Sequence, residues 1–479
     1  MIADEEDSIV QLYFTDRSAL RRSAIIDGTV FSLSAEEIAA AEEEGLVDGI
    51  PFILGAGGSY DHRLNAFFRA CPTMGVRSLN SLRAYGRDIS VWMRFLIERR
   101  HGKAIWGADR NDIVAFHRAR RLSEPPFRIS AGSWNRCVAV LEKFYGWAVL
   151  EGHVAVSPLG SADTSRVVQG KLWRSTRSSA RERAARAHNM LYLDLDRYLA
   201  FRDVGLRGRL PDGTEDPSWR GRNGDRNALF AELLVTTGMR VTEAGSILVV
   251  ELPGQHEGMP RSIQFDLPGS ITKGNRPRRI RLPRRVLALI HGYVEFDRRV
   301  AAAKSIPAPD PMWTLSMNRR SATGVDGHHV ALDRLTPIER RSLLDRASDS
   351  PEHALLWLTE TGRPMPVATW EIAFTRASER CRRFGIDIAV TPHMLRHTFA
   401  VNMLSMLIRT QIGAVFQPSD RHGAAYRHIL GDPLRTLQHL LGHASITSTY
   451  IYLDSLAEAQ ELVEAAAERW SDAVTGSAA

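Results

Sequence analysis

Cysteine is scarce. The 479 residues hold three, Cys71, Cys137 and Cys381, far apart in the chain, which argues against a disulfide framework or a thiolate zinc site and suits a reducing interior. Long apolar runs are missing too: no stretch approaches the roughly 18 to 20 residues of a membrane span, so no membrane partner is expected. The opening MIADEEDSIV is acidic where a secretory signal carries a basic flank, and the expected location is the cytoplasm. No internal repeat or low-complexity tract is evident. The fragment closest to a phosphate-binding loop, ILGAGGSYD, lacks both the spacing and the Lys and reads as a turn. What the chain does have is an excess of cations, 62 Lys and Arg against 55 Asp and Glu for a net +7, with a pI near 9.5. That balance favours a polyanionic partner without naming one. Hydrophobic residues at 44% suffice for sizeable cores, and the length calls for about two to four domains.

Residues 1–74 show no sustained period and are read as an extension with no assigned role. Over 75–160 the pattern is helical. Leu82, Tyr85, Ile89, Trp92 and Leu96 recur at three and four residues, as do Trp134, Val138, Leu141, Tyr145 and Ala148, with a shorter helix around Asp112 to Arg121. The polar faces carry Arg83, Arg87, Arg94, Arg118, Arg120, Arg121 and Arg136. Arg83, Arg87, Arg118 and Arg121 are the candidates for phosphate contacts, although solvated helix faces are the commoner explanation of such charges. Between 161 and 189, Arg166, Lys171, Arg174, Arg177, Arg181, Arg183 and Arg186 stand among Ser, Ala and Gly. This reads as a basic linker whose Arg174, Arg177, Arg181 and Arg183 would be drawn along a phosphate backbone.

A larger mixed domain is expected over 190–454, with helices near 226–236, 367–383, 394–407 and 434–441. Strand signals lie between 247 and 283, where GSITKGNRPRRIRLP reads as a β-hairpin turning at Lys273, Gly274 and Asn275. Residues 455–479 read as a terminal helix and tail. There Leu456, Ala459, Val463, Ala466 and Trp470 form a stripe, with Glu458, Glu461, Glu464 and Glu468 elsewhere on the helix.

Four short pieces of the larger domain matter together: TGMRVTEA from Thr237, TKGNR from Thr272, TPHMLRHTF from Thr391 and LLGHASITSTYIY ending at Tyr452. In this order they resemble the tyrosine recombinase, or phage integrase, family. Its pattern is an Arg in a G-x-R-x-x-E turn, a Lys on a hairpin, H-x-x-R on a helix, and L-G-H followed nine residues later by a nucleophilic Tyr. The matching positions are Arg240 with Glu243, Lys273, His393 with Arg396, His443, and Tyr452. Each piece alone is weak, whereas the ordered set with its spacing is a strong signal. The resemblance covers roughly residues 75–470. It implies a multidomain chain, mainly α with a small β-sheet: an all-helical, SAM-like core-binding domain followed by a mixed α/β catalytic domain, clamping a duplex between them.

These residue types suit displacement at a phosphodiester, which needs a nucleophile, stabilisation of two non-bridging oxygens and a proton for the leaving oxygen. The forked guanidinium groups of Arg240 and Arg396 can clamp the oxygens as Lys cannot. Glu243, three residues on, can orient Arg240, although an isolated pair of this kind is ordinarily a surface ion pair. Lys273 can serve as general acid if a cationic site lowers its pKa; otherwise it is a solvated turn residue. His393 and His397 share a helix face, but a zincin helix carries Glu after its first His and needs a third ligand, whereas Met394 follows here and Arg396 sets a charge beside the metal. No metal site is expected. His393 is assigned to the phosphate or to the Tyr proton, His397 to packing or support, and His443 to the phosphate. Of Tyr450 and Tyr452 only one can serve, because they point apart; the family interval selects Tyr452 and leaves Tyr450 to packing. A phenol of pKa about 10 needs a cationic pocket and a base to attack.

The resemblance further implies a 3′-phosphotyrosyl intermediate, no cofactor, and double-stranded DNA carrying recombination sites as partner. It also implies a tetramer on that DNA, room for accessory DNA-bending proteins, and a place on the nucleoid; the terminal helix would dock on a neighbouring protomer, with packing within its own chain as the alternative for its apolar stripe. A type IB topoisomerase shares the phosphotyrosine chemistry, and a DNA-binding regulator that has lost catalysis is the rival from another class. Against the latter, every catalytic position is filled. Two stretches depart from the pattern: Lys273 to His393 spans 120 residues, with about 304–345 as an insertion, and Arg396 to His443 spans 47, with 407–432 extra.

Overall fold

The computed structural model describes residues 10–16, 24–26, 29–43, 48–125, 127–168, 171–178, 180–182, 191–305, 313–325, 327–346, 351–415 and 432–453. The chain divides into two compact units, Met1–Arg186 and Ala187–Ala479. It is mostly helical with small sheets.

In the first unit, β1 (Gln11–Phe14) pairs antiparallel with β4 (Pro51–Leu54), and β2 (Ala24–Ile26) with β3 (Thr29–Phe31); α1 (Ala35–Glu43) lies between β3 and β4 in sequence. The helices α2 (His62–Ala70), α3 (Leu79–Arg99), α4 (Arg110–Arg121) and α5 (Ala131–Leu150) follow. Each has a side-chain cap at its start: Asp61, Ser78, Asp109 and Ser130 accept from backbone N–H groups that the first turn leaves without an intrahelical partner. The two apolar stripes face each other. Trp92, Phe116, Trp134, Leu141 and Tyr145 are buried, and the Trp92 indole donates to the Tyr145 hydroxyl at 2.8 Å, which donates in turn to the Ile105 carbonyl at 2.9 Å.

Two expectations need correction here. Residues 1–74 are not a separate extension, because Val10, Ile50, Ile53, Leu64, Phe67 and Phe68 belong to the same core as the α3 and α5 stripes; the strands of the unit lie outside 75–160, where the described residues form helices and no strand. The stretch 161–189 is not a featureless linker either. Ser161–Val168 and Lys171–Ser178 form an antiparallel pair, β5 and β6, and the backbone beyond it returns to the helices. Trp134 donates to the Ala180 carbonyl, and the Glu182 backbone N–H donates to Asn135 Oδ1.

The second unit opens with α6 (Leu195–Ala200), then α7 (Gly224–Thr237) and the single turn α8 (Val241–Gly245). Strands β7 (Ser262–Leu267) and β8 (Arg278–Pro283) pair antiparallel, followed by α9 (Arg284–Tyr293) and α10 (Arg299–Ala302). The expected hairpin exists in a different register: its first strand lies earlier, its second begins only at Arg278, and Lys273 lies in the long connection between them. The core centres on Phe230, stacked on Trp370 with ring centroids 3.6 Å apart, and Trp357 set edge-on to both.

The stretch that departs from the family pattern after α10 builds a sheet of its own. Its strands are β9 (Trp313–Leu315), β10 (Ser321–Gly324), β11 (His329–Ala331), β12 (Leu343–Asp345) and β13 (Glu352–His353), in the order β11-β10-β9-β12-β13, with α11 (Pro337–Arg341) before β12. It has a small core of Leu248, Leu315, Leu332, Leu335, Leu343 and Leu355. Arg340 is wholly buried and donates to the Ser246, Leu332 and Leu335 carbonyls and to Glu251 at 2.8 Å. The Ser270 hydroxyl donates to the Asp333 carbonyl at 2.7 Å. The added sheet thus holds both the turn after α8 and the connection that carries Lys273.

The unit continues with α12 (Val367–Arg383), α13 (Pro392–Val415), α14 (Pro433–Leu441) and the turn α15 (Thr447–Tyr450). Helix α13 runs into the extra stretch as far as Val415; the rest of that stretch, up to Gly431, and the terminal helix of 455–479 lie outside the described residues. Phe399, Ala400, Val401 and Leu404 of α13 pack with Leu437, Leu441 and Tyr452 in a second small core. Among the described residues no helix is long and apolar enough to cross a membrane.

Candidate active site

The first Arg is aimed by a helix end. Gly238 terminates α7 in the left-handed conformation, φ 65°, and its N–H donates to the Leu234 carbonyl. A Cβ there would lie 2.3 Å from the Phe399 ring. The chain reverses and Arg240 becomes the N-cap of α8, where its backbone N–H donates to Glu243 Oε2 at 2.7 Å and its Nη1 to Oε1 at 2.8 Å. Glu243 is 0% exposed, so this is no surface pair. Its second oxygen also receives Nη2 of Arg278 at 2.6 Å. Burial pushes the Glu243 carboxyl up, but Arg278 and Arg240 more than offset this and hold it below the usual carboxylate range.

A second left-handed glycine does the same at the other wall. Gly442, φ 63°, ends α14 with its N–H on the Gln438 and His439 carbonyls, and the next N–H, of His443, returns to Gln438. This turn projects His443, whose Nδ1 lies 3.0 Å from the Thr449 hydroxyl and whose ring stacks along that of Tyr452. Arg278 lies beneath, donating to the Leu440 carbonyl.

Arg396 is buried and donates to the Gly238 and Leu441 carbonyls at 2.5 Å each, so it ties the two glycine turns together. Burial, with Arg240 and Arg278 close by, pushes its pKa down to about 9, and it remains cationic at neutral pH. Lys273 is exposed on the β7–β8 connection. Arg240, Lys273, Arg276, Arg278, Gln438 and His443 line an open cleft of about 350 Å³. His393 is exposed at the start of α13; burial of part of its ring, then Arg396, Arg240 and Lys273, lower its pKa, which sets it in the same cationic field.

The two tyrosines separate sharply. Tyr452 is 1% exposed, whereas Tyr450 is 49% exposed and is not the packing residue expected of it. The Tyr452 hydroxyl lies 3.2 Å from Nδ1 of His397. Burial raises the Tyr452 pKa, and Arg396 and Arg240 pull it partly back. His397, expected to pack or to support the site, is thus the imidazole that meets the phenol. Burial, together with the charges of Arg396 and neighbouring groups, pushes both His397 and His443 down to about 4, so both are neutral at pH 7.

A model of the phage integrase N-terminal SAM-like domain matches residues 60–152. The chain is 26% identical over 412 residues to the tyrosine recombinase XerD of Agrobacterium fabrum, covering 84% of this chain and 92% of that protein. It is 24% identical over 380 residues to the tyrosine recombinase XerC of Bradyrhizobium diazoefficiens, covering 78% and 83%. Over most of its length the chain is thus similar to tyrosine recombinases. Among solved structures, a XerH site-specific recombinase bound to palindromic difH substrate aligns with a TM-score of 0.46 at 15% identity, over 83% of this chain and 82% of that one.

In this chain all six positions taken from the motif belong to the second unit, and Glu243 and His397 join them. Arg278 was missed by sequence reasoning. Among the described residues no group of three or more His, Cys, Asp and Glu is placed to hold a metal.

The arginines proposed for phosphate contact divide differently. Arg83, Arg87 and Arg118 are exposed. Arg121 is taken up by Glu182 at 2.8 Å and by the Ile129 carbonyl, and Arg181 by Glu142, so two of the eight are engaged within the first unit. The side chains of Arg174, Arg177 and Arg183 lie outside the described residues.

Proposed function

We propose that this protein is a site-specific DNA recombinase of the tyrosine type that cuts and rejoins strands through Tyr452. The carrying observation is that Tyr452, and not Tyr450, has its hydroxyl on a neutral imidazole and its ring in the electrostatic reach of Arg240 and Arg396. The two guanidinium groups hold the non-bridging oxygens of the scissile phosphate, with Glu243 fixing the first and backbone carbonyls the second. His443 and His393 add donors. Tyr452 attacks phosphorus and Lys273 gives a proton to the departing 5′-oxygen. The 3′-phosphotyrosyl link conserves the ester energy, so religation needs no nucleotide cofactor.

The relatives are recombinases by name, and the substrate that fits is a duplex carrying specific recombination sites. Exchange needs paired sites, for which a tetramer on DNA is the proposed assembly, with accessory DNA-bending proteins where site geometry requires them and the nucleoid as its cellular location. Arg83, Arg87 and Arg118 are the described arginines left to meet phosphates in the first unit. The test is covalent capture on a nicked suicide substrate. Tyr452→Phe keeps the ring and should bind DNA yet form no adduct, while Tyr450→Phe should form it with at most a modest loss. An adduct from Tyr452→Phe removes this reading.

A further inference from the structure

We infer that His397, rather than His393, takes the proton from Tyr452. The inference rests on Tyr452 being the nucleophile and concerns how its hydroxyl is activated. The Nδ1 to hydroxyl distance of 3.2 Å is the only hydrogen bond described for the phenol oxygen. His443 stacks on the Tyr452 ring but turns Nδ1 to Thr449. His393 and His397 stand one helical turn apart on α13, with ring centroids 4.3 Å apart and edge to face. The outer of the two, His393, feels Arg396, Arg240 and Lys273, the groups assigned to the phosphate. The inner one, half-buried, meets the Tyr452 ring at 5.7 Å.

Burial and charge divide the labour between them. The titratable and charged groups facing His397 are His393 and Arg396 on its own helix, Tyr452 after α15, and His443 on the turn after α14. Among the described residues none of these is an anion and none favours a protonated ring, and a neutral imidazole with hydrogen on Nε2 presents a lone pair to the phenol. In the step itself the Tyr452 O–H bond breaks and its proton passes to Nδ1. The new P–O bond forms as the bond to the 5′-oxygen breaks, and that oxygen takes its proton from Lys273. Religation runs each transfer backwards.

The test uses the full chain under single turnover on the nicked suicide substrate, comparing wild type, His397→Gln, His397→Ala and His393→Gln across pH. His397→Gln should bind DNA as wild type does and form adduct on the order of 100-fold more slowly at neutral pH, the lower range for loss of a general base. Its rate should climb about tenfold per pH unit towards wild type as hydroxide replaces the missing base. Added imidazole should restore His397→Ala, and His393→Gln should be slowed by the same factor at every pH. A His397→Gln rate equal to wild type, or reduced equally at every pH with no rescue by imidazole in His397→Ala, overturns the inference, since a merely structural His gives one of those results. Tyr452→Phe in the same assay keeps the two claims apart: an adduct there defeats the nucleophile assignment itself, while its absence beside an indifferent His397→Gln defeats only the base.

Discussion

Glu243→Gln tests the electrostatic frame on which the Arg clamp rests. The wild-type carboxylate is 0% exposed and answers two cations, Arg240 at 2.8 Å and Arg278 at 2.6 Å. The amide is isosteric but neutral, and leaves the Arg278 guanidinium, whose side chain is 7% exposed, without a counter-charge. Removing one partner of a buried pair costs about 3–5 kcal/mol. Gln keeps one acceptor oxygen, which places the loss near the lower figure, out of a total of roughly 5–15 kcal/mol for a domain. With a urea dependence of about 2 kcal/mol per molar, the unfolding midpoint of the second unit should fall by about 1.5 M.

The pH dependence has a definite sign. The folded pKa of Glu243 lies below its ordinary 4.5, so its contribution is complete above the unfolded value and is lost as pH falls through the folded one. The wild-type stability curve should therefore drop more steeply on its acid limb than that of Glu243→Gln, and the two should approach each other at low pH. Adduct formation should slow as well, by up to about 100-fold, because Arg240 loses the group that aims it. Midpoints agreeing within about 0.5 M, with superimposable acid limbs, would refute the role given to the buried carboxylate.

Other consequences are as direct. Lys273→Ala should slow cleavage of an ordinary substrate far more than one with a 5′-thio leaving group, which departs without a proton; equal slowing of both would remove Lys273 from the general-acid role. Gly442→Ala forces a Cβ at φ 63° to within 2.5 Å of Arg278 Cδ. It should cost about 1–2 kcal/mol in thermal unfolding and slow adduct formation while DNA binding is kept, and a variant as stable and active as wild type would show that the turn does not set the site.

The parts that could be read from the sequence are those with a period or an ordered motif. The α3 and α5 stripes announced their buried faces because 3.6-residue spacing leaves no other way to bury Trp92 with Leu96, or Trp134 with Val138. Two of the motif positions, Arg240 and His443, stand out in the sequence because each follows a chain reversal whose residue types are constrained: Gly238 before Arg240 and Gly442 before His443, both in the left-handed region. What escaped has no period long enough to register. Strands β1 and β4 have four residues each, and Val10, Ile50 and Ile53 reach the first core from a segment without alternation. The Ser and Arg content of 161–178 suggested a linker because composition says nothing of pairing; the signal was Gly170 between two stretches of eight residues that pair end to end.

Arg278 was legible in principle. In β8, Ile280 and Leu282 are buried while Arg279 and Arg281 face out, so strand alternation places Arg278 on the inward face, where a cation needs a partner. Glu243 is that partner. The residue that looked like a local support for Arg240 is therefore shared between a helix turn and a strand 35 positions away. That sharing explains why a carboxylate belongs in a site built to attract phosphate. Arg240, Arg278 and Arg396 would repel one another within one small volume, and one buried anion behind them lets the cations converge while leaving the cleft side of Arg240 free for the oxygens it has to hold.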